Sequence, residues 1–126
     1  MPDRMSFERF IAEVVAGRHD LAIELFYTPD ASMQENFDPP RKGRDNLIAR
    51  ERQVMASFKS IRTECVGPTF LSGDHTVVRW VFEFEGHDGT KRRMEELAYQ
   101  RWEGDRIAEE RFYYDPTQLL VAVPGE

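Results

Sequence analysis

The stretch His75 to Gly86, HTVVRWVFEFEG, alternates more strictly than any other part of the chain. Val78, Trp80, Phe82 and Phe84 fall on one side, and Arg79, Val81, Glu83 and Glu85 on the other. Successive side chains of a strand point to opposite faces, so the pattern requires a sheet with one dry aromatic face and one wet charged face. A slip of one residue would invert every assignment, which makes the register well specified. The remaining sequence must supply a cover for the aromatic face.

The neighbours continue the same period. SIRTECVGPTFLSG, from Ser60, reads as the preceding strand, with an irregularity at Gly67-Pro68 because proline lacks a ladder donor. Gly73-Asp74 and His87-Asp88-Gly89-Thr90 are turns, and KRRMEELAYQRWEG and RIAEERFYYD are two more strands about Gly104-Asp105. Together these predict a four-strand antiparallel meander. Upstream the period becomes helical. Ser6 is the expected cap of a helix running to Gly17, with Phe7, Phe10, Ile11, Val14 and Val15 on one side. Asp20 is the expected cap of a shorter helix, LAIELF, that stops before Thr28-Pro29-Asp30, and a short strand opens at Ala31. Gly43-Arg44-Asp45 leads into a third helix whose Leu47, Ile48, Val54, Met55 and Phe58 are apolar, while Arg50, Glu51 and Arg52 are expected to face water. The helices supply the cover. The class is α+β, with three helices on one face of a curved antiparallel sheet, and residues 1–126 read as a single domain.

Charge narrows the partners. The net charge of −6 opposes binding to nucleic acid or anionic membranes, and the basic runs Arg41-Lys42-Gly43-Arg44 and Lys91-Arg92-Arg93 read as solvated turns. The longest apolar run, Leu119 to Val123, is far short of the ~20 residues that span a bilayer. Cys65 is the single cysteine, so no internal disulfide is available, and no secretory signal is visible. These features predict a soluble cytoplasmic protein with neither nucleic acid nor membrane as partner. His19, His75 and His87 lack metal-ligand spacing, and neither a metal nor an organic cofactor is expected.

Three stretches, ELFYTPDASMQENFDPPRKGRDNL, RWVFEFEG and YQRWEGDRIAEERFYYDP, resemble the SnoaL-like group of the nuclear transport factor two-like superfamily, over about Phe7 to Leu120. The resemblance implies a cone-like sheet whose concave face and helices enclose a deep apolar pocket. It also implies a homodimer through the opposite face, where Arg79, Glu83, Arg101, Glu109, Arg111 and Tyr113 would lie. Members include isomerases, cyclases, epoxide hydrolases, dehydratases and domains with no chemistry. By strand parity, Trp80, Phe82, Phe84, Phe112 and Tyr114 point inward, with Glu110 on the same face nearer one end.

The resemblance also places chemistry. Ketosteroid isomerase, a superfamily member, carries its proton-shuttling carboxylate at the end of the first strand, and ASMQENFDPP puts Glu35 there. Beside Phe37 and apolar walls Glu35 would be the most desolvated carboxylate of the cavity, suited to general base work, and Asn36 would orient a substrate carbonyl or a water. Glu35 also reads as a solvated strand end. The isomerase's oxyanion donors fall on Phe10 and Ala98, which cannot donate, so steroid isomerisation by that route is not expected. Glu96 shares the face of Met94, Ala98 and Gln100, which makes Glu35 and Glu96 a candidate acid/base pair across the cavity. The alternative leaves Glu96 in water with Glu95, beside Arg92 and Arg93. The expected function is a cofactor-independent isomerase, cyclase or hydratase acting on a small apolar molecule. The alternative is a non-catalytic binding or dimerisation module of the same fold.

Overall fold

The computed structural model describes residues 1–123. Helices α1 (Arg4–Val15) and α2 (His19–Phe26) lead directly into β1 (Tyr27–Glu35). A two-residue strand, β2 (Arg41–Lys42), precedes α3 (Arg44–Ser57). Strands β3 (Ser60–Ser72), β4 (His75–Glu85), β5 (Lys91–Glu103) and β6 (Arg106–Tyr113) follow, and a 3-10 turn over Pro116–Leu120 comes after them.

The six strands lie in the order β2-β1-β6-β5-β4-β3. β3 to β6 form the antiparallel meander, with Trp80 opposite Cys65 on one side and Glu96 on the other. β1 pairs parallel to β6, so the sheet is mixed rather than purely antiparallel as the pattern predicted. A period-two pattern says which face is buried but carries no strand direction. A parallel pair needs a long crossover, and here α3 and four strands, β2 to β5, intervene between its two members.

Local signals explain most element ends, with three corrections. α1 starts earlier than expected: its cap is Asp3, whose Oδ1 accepts the Ser6 backbone N–H at 2.7 Å, and Ser6 is itself buried in the first turn. α2 begins at His19, so Asp20 lies in its first turn, where a carboxylate complements the helix dipole; it also pairs with Arg52 of α3 at 3.2 Å. Thr28-Pro29-Asp30 does not delay the strand. It sits within β1, in the stretch between Tyr27 and Ser32 where pairing with β6 is irregular, and a proline that cannot donate is tolerated there.

The concave face and the helices share one core. At its centre the Phe10 ring meets Phe26, Tyr27, Trp80 and Trp102 edge to face, at centroid separations of 5.8, 6.1, 6.3 and 5.9 Å. Such contacts add to the stabilisation from buried area. Val78, Ala98 and Ile107 complete the sheet side, and Phe7, Ala22, Ile23 and Leu47 the helix side. On the convex face Arg79 and Glu95 pair at 2.6 Å in solvent, as the alternation requires. Among the described residues no helix is long and apolar enough to cross a membrane.

Candidate functional site

The core does not fill the space under the helices. A cavity of about 320 Å³ remains between the concave face and all three helices, at the lower end of the roughly 300–1,000 Å³ of ligand sites. Trp80, Phe82, Phe112 and Tyr114 line it, with Phe82 and Phe84 stacked at 5.8 Å. Glu35 and Glu96 both reach the same cavity.

The two carboxylates sit in different surroundings. Glu96 is 6% exposed, in contrast to the solvated alternative, because its strand parity with Met94 and Ala98 turns it inward opposite Trp80. Among the described residues no hydrogen-bond donor or cation engages its carboxyl. Burial, and then the charges of Glu110, Glu35 and Glu51, hold its pKa well above the ordinary glutamate range. Glu35 stands at the rim, its side chain 32% exposed and 3.6 Å from Arg41 Nη1. Thus Glu96, and not Glu35, is the more desolvated of the pair.

Phe37 does not wall Glu35 as expected. Its ring is 87% exposed and lies 4.6 Å from the Arg111 guanidinium on the outside. The cause is Asn36, which takes a left-handed conformation (φ 51°) and turns the chain, so that Glu35 and Phe37 no longer share a face. Asn36 likewise does not line the cavity. Its N–H donates to the Phe112 carbonyl at 2.7 Å, its Oδ1 accepts from the Tyr114 backbone N–H at 3.0 Å, and its carbonyl accepts from Arg111 Nε at 2.9 Å. It fastens the end of β1 to β6, an anchoring role that leaves no side-chain oxygen directed at a ligand. That clamp helps to hold Tyr114 against the cavity, where burial, and then the charges of Glu35 and Glu96, push its hydroxyl up to about 12.

Several cavity groups escaped the sequence reading. Glu110 and Tyr27 both line the cavity, and the Tyr27 hydroxyl donates to Glu110 Oε1. Strand parity with Phe112 and Tyr114 already placed Glu110 inward, but nothing in the sequence paired it with a residue 83 positions away. Glu51 and Arg50 line the cavity instead of facing only water, since α3 lies with one shoulder on the opening. His19, buried at the start of α2, holds Thr63 Oγ1 at 2.8 Å through Nε2 and approaches Glu51 at 3.3 Å through Nδ1. Arg41 also lines it, with a buried Nε that has no partner among the described residues. Among the described residues no cluster of His, Cys, Asp or Glu has the makings of a metal site.

An open mixed sheet, roofed by three helices over an acid-bearing cavity, defines an α+β protein of the nuclear transport factor two-like fold. The chain belongs to the SnoaL-like domain family, whose model matches residues 7–110. Among solved structures, a provisionally assigned SnoaL-like polyketide cyclase from Mesorhizobium loti is 22% identical and superposes with a TM-score of 0.75 over 90% of this chain and 100% of its own. A nuclear transport factor two-like protein of unknown function from Burkholderia pseudomallei is 18% identical, with a TM-score of 0.78 over 95% of this chain and 96% of its own. A protein with a ketosteroid isomerase-like fold from Catenulispora acidiphila, in complex with trimethylamine, is 15% identical, with a TM-score of 0.77 over 95% of this chain and 92% of its own. At such identities these likenesses carry the fold. No curated protein matches.

Proposed function

We propose that the cavity holds a small, largely apolar molecule and that the protein acts on it as a cofactor-independent isomerase, cyclase or hydratase, with Glu35 and Glu96 moving the protons. The observation that carries this reading is the carboxyl of Glu96, buried, free of protein donors among the described residues, and lining the same cavity as Glu35. Two carboxylates whose environments differ this much take different roles. Glu96 keeps its proton and donates to a carbonyl oxygen of the bound molecule. Glu35, beside Arg41, accepts a proton from the neighbouring carbon and returns it to another, so the reaction is redox-neutral and leaves both carboxyls as they began. Phe10 and Ala98 supply no oxyanion donor, but Glu96 lies two residues from Ala98 on the same strand face and offers one.

Proton abstraction can be tested without knowing the natural substrate. A panel of small cyclic ketones in deuterated buffer should gain deuterium next to the carbonyl in the presence of the protein, followed by proton NMR. Glu35→Gln and Glu96→Gln should each slow that exchange by roughly 10²-fold or more. Exchange no faster than in buffer, with ketones shown to bind by saturation transfer, would overturn the enzyme and leave the binding module. The largely aromatic wall favours that second reading to the extent that it needs no chemistry to hold an apolar guest.

A further inference from the structure

Beyond the proposed acid/base pair, five buried side chains form an unbroken line of hydrogen bonds that ends at the cavity wall. Trp102 Nε1 donates to Thr76 Oγ1 at 2.8 Å, Thr76 Oγ1 to Gln100 Oε1 at 2.6 Å, and Gln100 Nε2 to Glu110 Oε2 at 2.7 Å. The Tyr27 hydroxyl closes the line on Glu110 Oε1. All five residues are buried, so water does not compete for these bonds.

The direction of the line follows from its far end. An indole N–H only donates. Thr76 accepts it and directs its own proton to the Gln100 carbonyl oxygen, which leaves the Gln100 amide nitrogen to face Glu110. Oε2 of Glu110 is therefore an acceptor in either protonation state. Only Oε1 can carry a proton, and Oε1 faces Tyr27.

We propose that Glu110 is a positioning residue that decides which way the Tyr27 hydroxyl points, and thereby whether this wall of the cavity accepts or donates a hydrogen bond to the bound molecule. The inference rests on the reading that the cavity holds a ligand. With Glu110 ionised, Tyr27 directs its proton at Oε1 and presents lone pairs, so the wall suits a ligand hydroxyl or amine. With Glu110 protonated, Oε1–H donates to the Tyr27 oxygen, and the Tyr27 proton turns to the cavity and suits a carbonyl. One proton is gained or lost by Glu110, and the rest is rotation.

The changeover belongs near neutrality. Burial pushes the Glu110 carboxyl up to about 7, against the hydrogen bonds from Gln100 and Tyr27, which favour its charge. The charge of Glu51 on α3 adds to the upward push, and Glu96 on β5 is itself raised, by burial first and then by the charge of Glu110. Burial and the Glu110 charge hold Tyr27 on β1 well above the ordinary tyrosine value, so it does not ionise in the same range. Among the described residues, the other charged or titratable groups lining this space are His19, Glu35, Arg41, Arg50 and Tyr114, and Arg44 and Arg106 each donate to the Tyr27 carbonyl at 3.2 Å.

The test reads Tyr27 directly. In protein carrying 13Cζ-labelled tyrosine, the Tyr27 resonance should step with the Glu110 carboxyl between about pH 5 and pH 8. Glu110→Gln should hold Tyr27 in the low-pH position throughout, because its amide oxygen accepts from Gln100 and its NH2 donates to Tyr27. A Tyr27 resonance with no step, or a step that survives in Glu110→Gln, would overturn the proposal. Two neutral probes of similar size, 2-naphthol as donor and 2-acetylnaphthalene as acceptor, then report on the cavity by calorimetry. Their affinity ratio should shift toward the naphthol by about tenfold from pH 5.5 to pH 8 and be constant in Glu110→Gln. Probes that bind with a pH-independent ratio count against the proposal. A Tyr27 step with neither probe bound supports the switch and overturns the cavity reading, which keeps the two failures apart.

Discussion

Gln100 Nε2 donates to Glu110 Oε2 at 2.7 Å where Glu110 is 3% exposed and Gln100 is fully enclosed. A carboxyl in that position is easier to bury neutral than charged. Its folded pKa of about 7 lies above the ordinary 4.5, so its contribution to stability is fully present below about pH 4.5 and is lost as pH rises through about 7. At about 1.36 kcal/mol for each pH step the gap amounts to about 3 kcal/mol. Glu110→Gln should therefore match the parent protein near pH 4.5 and be more stable than it at pH 8.5, by up to that amount. Urea denaturation at the two pH values measures it, and an equal stability difference at both would reject the assignment.

Glu96 lies near Glu110 and shifts in the same direction, so it too destabilises the protein as pH rises. Glu96→Gln removes a charge that no protein donor satisfies among the described residues. It should raise the melting temperature at pH 8 while slowing ketone exchange by roughly 10²-fold or more, the usual trade of stability for function at such a site. A variant that loses stability at pH 8 would mean that Glu96 has a protein partner when ionised.

Phe10 tests the core under the helices. It is 1% exposed and meets four other aromatic rings. Phe10→Ala should lower the unfolding free energy by about 3–5 kcal/mol, since the rigid rings around it cannot close the gap. A loss under 1 kcal/mol in chemical denaturation would show that the helices settle onto the sheet.

For the convex face we propose association of two copies. Arg79 pairs with Glu95, and Arg101 with Glu109 and Glu103, within the chain. Leu97, Tyr99 and Tyr113 are left half exposed beside one another on β5 and β6. A face with satisfied charges around exposed apolar side chains suits a two-fold contact. Sedimentation velocity at roughly 50 µM should show a dimer that Leu97→Glu shifts to monomer. A monomer for the parent protein would refute it.

The faces of the sheet were legible before any coordinates. Alternation in HTVVRWVFEFEG put Trp80, Phe82 and Phe84 inside, and the same parity turned Phe112 and Tyr114 inward, whereas only its burial in the fold decides Glu96 between the cavity and water. The helices were legible for a similar reason, since a 3.6-residue period needs only neighbours along the chain. Asp3 and His19 show the limit at element ends. Asp3 caps α1 in place of Ser6, and α2 begins at His19 with no side-chain cap at all, so neither expected cap is used.

What the sequence determined by itself is therefore the α+β class, the inner and outer strand faces, and the presence of an acid at the end of β1. These follow from local periodicity and side-chain chemistry. Only the tertiary structure decided that β1 runs parallel to β6, and that Asn36 turns Phe37 away and leaves Glu35 at the rim. It also decided that Trp102 donates to Thr76, Thr76 to Gln100 and Gln100 to Glu110, in one buried line. Desolvation and hydrogen-bond direction depend on which distant groups share a buried space, and strand parity assigns each residue a face without naming who stands opposite it across the core.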